Sequence, residues 1–547
     1  MNKFWYKNAI FYSLDVETFK DSNDDGTGDF EGLRNGLSYL SSLGVTCLWL
    51  LPIFDTPNRD NGYDVRDYYK IDPRLGDLGH FAQLLDAAEE EGMRVIIDLS
   101  VNHTSIEHFW FQEARKDKKS RYRDYYIWVD EKPEDPEPNM MAGDGESGSS
   151  WKYDRKAKAY YYHSFYPHQP DLNLSNPDVQ KEIFRIMHFW LKLGVSGFRI
   201  DAAPHMFKEK GRMDFDGDPH EIFRNFREFV ETQKPDAILL AEVDLDPNDY
   251  NKFLGNEDQM HMLFNFYVNN FIYLAFAREE ATPLAKAMER MPESITEKEQ
   301  LAIFLRNHDE LNLDKLKKNE REEVFKAFAP KENMRIFGRG IRRRLASILG
   351  NDRKKMELAH SLLFTLPGTP VLRYGEEIGM GEDLSMEGRS SVRTVMQWSS
   401  EKNGGFSNAP KAKLIRNVIS GGEFGYEKVN VSDQHRDPDS FLNWISKAID
   451  YRKEFPEFGW GRCRIIDTAN PKVLGYFTKS DKGIGIAFHN FSDKEMTVEF
   501  QLEGEKDLKN IIDIFGNMRY DPFDPEKGEI TLTPYGYRWL HKRKMYL

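Results

Sequence analysis

The chain has 547 residues, too many for one ordinary core, so two or three domains are expected, although an α/β barrel can run past about 250 residues as one unit. Apolar residues make up 40% and aromatic residues 13%, ample for a large core, and no run approaches the roughly 18 to 20 apolar residues of a membrane span. A net charge of −14 excludes nucleic acid and anionic membranes as the expected partners.

MNKFWYKNAIFYS shows no long apolar run before a small-residue cleavage site, so no secretory signal is read there. The two cysteines, Cys47 and Cys463, are far apart, which fits a reduced, cytoplasmic chain. The first strand candidate, AIFYS (9–13), leads into DSNDDGTGD (21–29). There Asp21, Asn23, Asp25 and Asp29 alternate around Gly26, oxygen donors of the kind Ca²⁺ takes. An EF-hand is excluded, because its twelfth position requires a bidentate Glu and is Gly32, and because a strand pattern precedes the loop. An ion-free Asp/Asn turn is the alternative.

Seven further strand candidates follow: VTCLWLL (45–51), RVIIDLS (94–100), GFRID (197–201), AILLAE (237–242), MLFNF (262–266), LAIFLRN (301–307) and PVLRYG (370–375). Helical patterns such as HFAQLLDAAEEEG (80–92) and RKKMELAHSLLFTL (353–366) lie between them, and eight such units predict a (β/α)₈ TIM barrel. The charged, Tyr/Trp-rich stretch 105–173 is too long for a loop and reads as an inserted domain after the third strand, leaving 1–104 and 174–456 for the barrel. Residues 376–440 form a second, loop-rich excursion after the eighth strand. Over 457–547, KVLGYFTKS, GIGIAFHNFS, MTVEFQLEG and ITLTPYGYRWL predict a C-terminal antiparallel β-sandwich.

A barrel of this kind carries its chemistry at the C-terminal strand ends. The third strand ends DLSVNH, offering Asp98, Asn102 and His103; the fourth offers Arg199 and Asp201; the fifth offers Glu242; the seventh offers His308 and Asp309. Singly, Arg199 with Asp201 reads as well as a salt bridge, and each histidine as a core residue. Together they set paired carboxylates at one mouth, the machinery of glycoside cleavage, with Arg199 on the same strand face as Asp201 and holding it ionised.

DLSVNH, GFRIDAAPH, the AE of the fifth strand, RNHD and QPDLN (169–173) resemble the α-amylase superfamily, glycoside hydrolase family 13, over the whole chain. The resemblance implies a retaining double displacement at an α-glucosidic bond, with Asp201 as nucleophile, Glu242 as acid/base and Asp309 as transition-state stabiliser. Arg199, His103 and His308 line the same subsite in this reading, and the first loop becomes a structural Ca²⁺ or Mg²⁺ site of Asp21, Asn23, Asp25 and Asp29 with the Thr27 carbonyl. No organic cofactor is implied. Lys208 stands where calcium-binding relatives carry a ligand of a second site built on positions matching Asn102 and Asp171, so that site is expected to hold no metal. DNGYD (60–64) and VRT (392–394) look like the pocket of enzymes acting on a terminal glucose, with Asp60 salt-bridged to Arg393, and Tyr63, Phe165 and Gln169 beside them. FLRNHDELNLDKL (304–316) and the segments 327–358 and 362–381 look most like the trehalose synthase group, with 310–358 as part of a lid. Departures at EVDLDP and RSSVRTVMQW alter two loops on the acceptor side. The implied activity is interconversion of maltose and trehalose, the alternative an exo-acting α-glucosidase on di- or oligosaccharides. The expected partner is a small sugar, with homo-oligomerisation left open.

Overall fold

A computed structural model describes residues 3–134, 141, 148–207, 218, 220–292, 295, 297–502 and 510–543. Eight short parallel strands close into a barrel: β1 (Phe11–Leu14), β2 (Cys47–Leu50), β3 (Arg94–Leu99), β4 (Gly197–Ile200), β5 (Ile238–Ala241), β6 (Met262–Phe264), β7 (Gln300–Phe304) and β8 (Thr369–Arg373). β8 closes on β1, with Phe11 opposite Val371. Strand alternation divides the core in two. Phe11, Cys47, Trp49, Ile96, Ile238, Leu240, Met262, Phe264, Ala302, Phe304 and Val371 fill the barrel interior. Their neighbours, such as Tyr12, Leu48, Ile97, Phe198, Leu239 and Ile303, pack outward with the helices.

Those helices begin where short polar side chains cap them: Asp77 accepts from His80 N ahead of Leu78–Glu90, and Asn176 from Asp178 N ahead of Pro177–Leu193. The stretch after β3 carries a three-stranded antiparallel sheet of Trp128–Val129, Ala159–Tyr162 and Trp151–Asp154, and returns to the barrel through a bridge between His103 and Asp171. The segment after β7 builds a second small sheet from Leu311–Asn312, Gly340–Ile341 and Arg335–Ile336, with the helix Lys318–Phe328 following the first of these strands in the chain. Residues 376–440 hold short 3₁₀ turns and the helix Val431–Arg436.

Beyond residue 460 lies an antiparallel five-stranded sheet, in the order Arg462–Ile466, Val473–Lys479, Gly483–Asn490, Tyr537–Arg543 and Ile511–Gly516. A two-stranded sheet, Met496–Glu499 with Glu529–Leu532, shares a separate apolar core with it. ITLTPYGYRWL thus belongs to two sheets rather than one strand, because Pro534 and the positive φ of Tyr535 (52°) break it. No helix among the described residues is long and apolar enough to cross a membrane.

Candidate active site

Parallel register assembles the site. Asp98 on β3 lies opposite Arg199 on β4, and Ile200 lies opposite Ala241 on β5, so the next residues, Asp201 and Glu242, leave the sheet side by side. Arg199 is the hub. Its Nη1 donates to Asp98 Oδ1 at 2.7 Å and to Asp201 Oδ1 at 2.6 Å, while Nη2 donates to Glu242 Oε2 at 2.7 Å. The Arg199 side chain is 2% exposed, against 12% for Asp201 and 25% for Glu242, so the cation sits behind the carboxylates and they face the opening. Among the described residues Asp201 Oδ2 has only a 3.3 Å contact, from Ser100 Oγ. Ala202 N donates to Glu242 Oε2 at 3.2 Å, from a backbone held at φ 50°, strained for a non-glycine residue.

Asp309 enters from the end of β7. Arg393 Nη2 donates to its Oδ1 at 2.8 Å, Arg389 Nη1 lies 3.4 Å from the same atom, and Arg393 Nε donates to the His308 carbonyl at 2.8 Å. Burial acts upward on the Asp309 carboxyl but is outweighed, by the charge of Arg389 before any other, and the carboxyl is held well below the usual carboxylate range. Burial pushes Glu242 up to about 7, opposed by Arg199 and reinforced by the charges of Asp201 and Asp309. Asp98 is likewise pushed up to about 6 by burial, against Arg199. Two carboxyls on one mouth therefore keep different protonation states, as an acid and a permanent anion require.

The expected sugar-binding residues gather around this centre. Tyr63 OH donates to Asp98 Oδ2 at 3.0 Å and lies 2.8 Å from His308 Nε2, its ring stacked on the imidazole at 5.8 Å. Burial holds His308 neutral, and since the Tyr63 hydroxyl donates to Asp98, His308 Nε2 is the donor to the Tyr63 oxygen. His103 Nε2 sits 3.1 Å from the Tyr63 carbonyl and 3.4 Å from Ser100 Oγ, with the Phe165 ring edge-on at 5.5 Å. Gln169 Nε2 donates to Asp60 Oδ2 at 2.8 Å.

The expected salt bridge between Asp60 and Arg393 is not formed. Arg393 is committed to Asp309 and the His308 carbonyl, which leaves Asp60 to Gln169, with burial pushing its carboxyl up to about 6 against Arg389. Sequence reading assigned no role to Arg389, Glu310, Ser100 or the Ala202 N–H. For Arg389 the signal was its place four residues before Arg393, which the 3₁₀ turn Gly388–Val392 converts into a second cation on Asp309.

In the 21–29 loop, Asp21 accepts from the backbone N–H groups of Asn23, Asp24 and Gly26, Asn23 from Asp25, and Asp25 from Thr27. Asp29 caps the helix Phe30–Asn35, accepting from Gly32 N, and also takes Ser22 N and Oγ. Among the described residues no three His, Cys, Asp or Glu side chains gather into an ion-holding group, yet none of Asp21, Asp24, Asp25 or Asp29 has an ion-pair partner there either. The all-oxygen donor set fits a hard cation in its chemistry. At the second expected position Asn102 Nδ2 donates to Asp171 Oδ2 at 3.3 Å and Ser164 N to Oδ1 at 2.9 Å; Lys208 lies outside the described residues.

The family description "Alpha amylase, catalytic domain" matches residues 16–336 and 315–461, and "Sucrose hydrolase-like, C-terminal domain" matches 486–541. Trehalose synthase of Thermus thermophilus is 42% identical over 543 residues, covering 98% of this chain, which spans only 55% of that protein's length. Trehalose synthase/amylase TreS of Mycolicibacterium smegmatis is 37% identical over 554 residues, covering 99% of this chain and 93% of its own. The crystal structure of α-amylase from H. orenii superposes with a TM-score of 0.79 at 29% identity, over 98% of this chain and all of that one. With the catalytic-domain match spanning the barrel and the carboxylates standing at its strand ends, the chain belongs to the α-amylase family.

Proposed function

We propose that this protein is a retaining α-glucosyl enzyme of small disaccharides that interconverts maltose and trehalose. The observation that carries the reading is the single Arg199 guanidinium binding both Asp201 and Glu242, with Glu242 raised to about 7 and Asp309 kept ionised. Glu242 gives its proton to the glycosidic oxygen through Oε1, the oxygen not bound to Arg199. Asp201 attacks the anomeric carbon through Oδ2, its less engaged oxygen, and forms a glucosyl ester. Asp309 opposes the positive charge that develops on the ring. The freed glucose turns, loses its anomeric hydroxyl proton to Glu242 and re-attacks, so configuration is retained. Asp60, Tyr63 and Gln169 bind the non-reducing end. Isomerisation is favoured over hydrolysis by the trehalose synthase names of two relatives at 42% and 37% identity.

The 21–29 loop is proposed to hold one Ca²⁺ or Mg²⁺ on Asp21, Asn23, Asp25, Asp29 and the Thr27 carbonyl. Such an ion would neutralise the loop and brace the exit of β1, with no part in bond cleavage. The functional test is incubation with maltose and isotopically labelled free glucose. Trehalose with little released glucose and no label is the expected product; glucose as the sole early product would leave an α-glucosidase instead.

A further inference from the structure

Resting on the reading of Glu242 as the acid, one consequence concerns the sugar that leaves. Glu242 protonates the oxygen through which that sugar departs, so the chain beside Glu242 borders the sugar's space. Two residues on, Asp244 is gripped from outside its own loop. Asn312 Nδ2 donates to Asp244 Oδ2 at 2.7 Å, and Lys315 Nζ donates to the Asp244 carbonyl at 2.9 Å while lying 3.1 Å from Oδ1. Asn312 is three residues past Asp309. The backbone leaving the acid is thereby tied to the backbone leaving the third carboxylate, across the end of β6, which stands between their strands.

The gripping segment is itself anchored. Asn270 donates to the Asn312 carbonyl at 2.9 Å, and Asp314 pairs with Arg321 at 3.1 Å and Arg339 at 3.4 Å. On the side toward Asp309, Arg389 Nε holds Glu310 at 2.7 Å. The side chains of Asp244 and Lys315 are 27% and 19% exposed, partly shielded from water, where a charged contact keeps more of its strength than on an open surface.

We propose that Asp244, Asn312 and Lys315 form an acceptor-side clasp that keeps the freed sugar in the cleft and water out while the glucosyl ester stands. Asp244 is a positioning residue: it touches none of the reacting atoms. In the second step the bond from the anomeric carbon to Asp201 breaks and a bond to an incoming oxygen forms, with Glu242 taking that oxygen's proton. The clasp changes only whether the oxygen belongs to the retained sugar or to water.

The experiment compares wild type, Asp244→Ala, Lys315→Ala and the double variant on maltose with labelled free glucose, reading the ratio of glucose to trehalose and the label in trehalose. Each single variant should raise the ratio about tenfold, the scale of one lost charge-assisted hydrogen bond, and admit label. The double variant should exceed either single one by less than the product of the two effects, since both changes remove the Lys315–Asp244 ion pair, while Asp244→Ala alone also frees Asn312 and Lys315→Ala alone also frees the Asp244 carbonyl. Asp244→Asn, which still accepts from Asn312, should fall between and guards against misfolding of the alanine variant. Variants that lose turnover with an unchanged ratio and no label would overturn the clasp while leaving isomerisation standing. Wild type releasing only glucose would overturn the isomerase reading and the clasp with it.

Discussion

Glu242 shares an arginine with Asp201 and still holds its proton to about 7, because burial outweighs the neighbouring cation. This has a measurable cost in stability. Its ordinary value is near 4.5, so the folded chain binds the proton more tightly than the unfolded one, and the stabilisation present at low pH is lost as pH rises through about 7. Glu242→Gln should therefore melt above wild type at pH 8, with the gap closing toward pH 4, as followed by calorimetry across that range. In the wild type, kcat/KM should fall on the alkaline side near 7, where the acid is lost. An alkaline limb two pH units higher would remove Glu242 from that role.

At the scale of single elements, the site depends on how closely β4 and β5 approach, since they deliver Asp201 and Glu242. Gly197 opens β4 at φ +146°, and a Cβ there would stand 2.2 Å from the Ile238 carbonyl oxygen on β5. Gly197→Ala should force these strands apart and cost about 3 kcal/mol, with activity falling beyond the loss of folded protein. Denaturant unfolding beside specific activity checks this. The loop leaving β1 makes a separate prediction: calcium should raise the melting temperature and a chelator lower it. Asp25→Ala should melt near the chelated wild type and ignore added calcium.

Across the whole molecule, the C-terminal sheet and the barrel share one core. Trp539 Nε1 donates to Ser361 Oγ at 2.7 Å, Tyr476 OH lies 2.6 Å from Thr365 Oγ1, and Leu474, Tyr476, Phe491, Tyr537 and Trp539 pack in the same cluster as Leu362 and Leu363 of the helix Arg353–Thr365. Removing residues 462–547 would expose the apolar helix face that packs on this sheet. The truncated chain should aggregate, read as void-volume elution in size-exclusion chromatography. A soluble, cooperatively melting barrel would show that the sheet is an independent appendage.

Much of the architecture was legible in one dimension, since each barrel strand is a short apolar run and alternation along it decides which side chains point inward. The same spacing marked Arg199 and Asp201 for one face, and strand-end position marked Glu242 and Asp309 for the mouth. What sequence could not decide was which cation serves which anion. Asp60 and Arg393 suit each other as types, but Arg393 is drawn to Asp309 by the return of the chain after β8, and Arg389, on the 3₁₀ turn that leads into it, comes within 3.4 Å of the same carboxylate. The division of ITLTPYGYRWL between two sheets, and the tie from Asp244 to a lysine 71 residues later, arise in the same way. Periodicity is local and survives in the sequence; partner choice among like charges is set by distance and burial, which exist only once the barrel has closed.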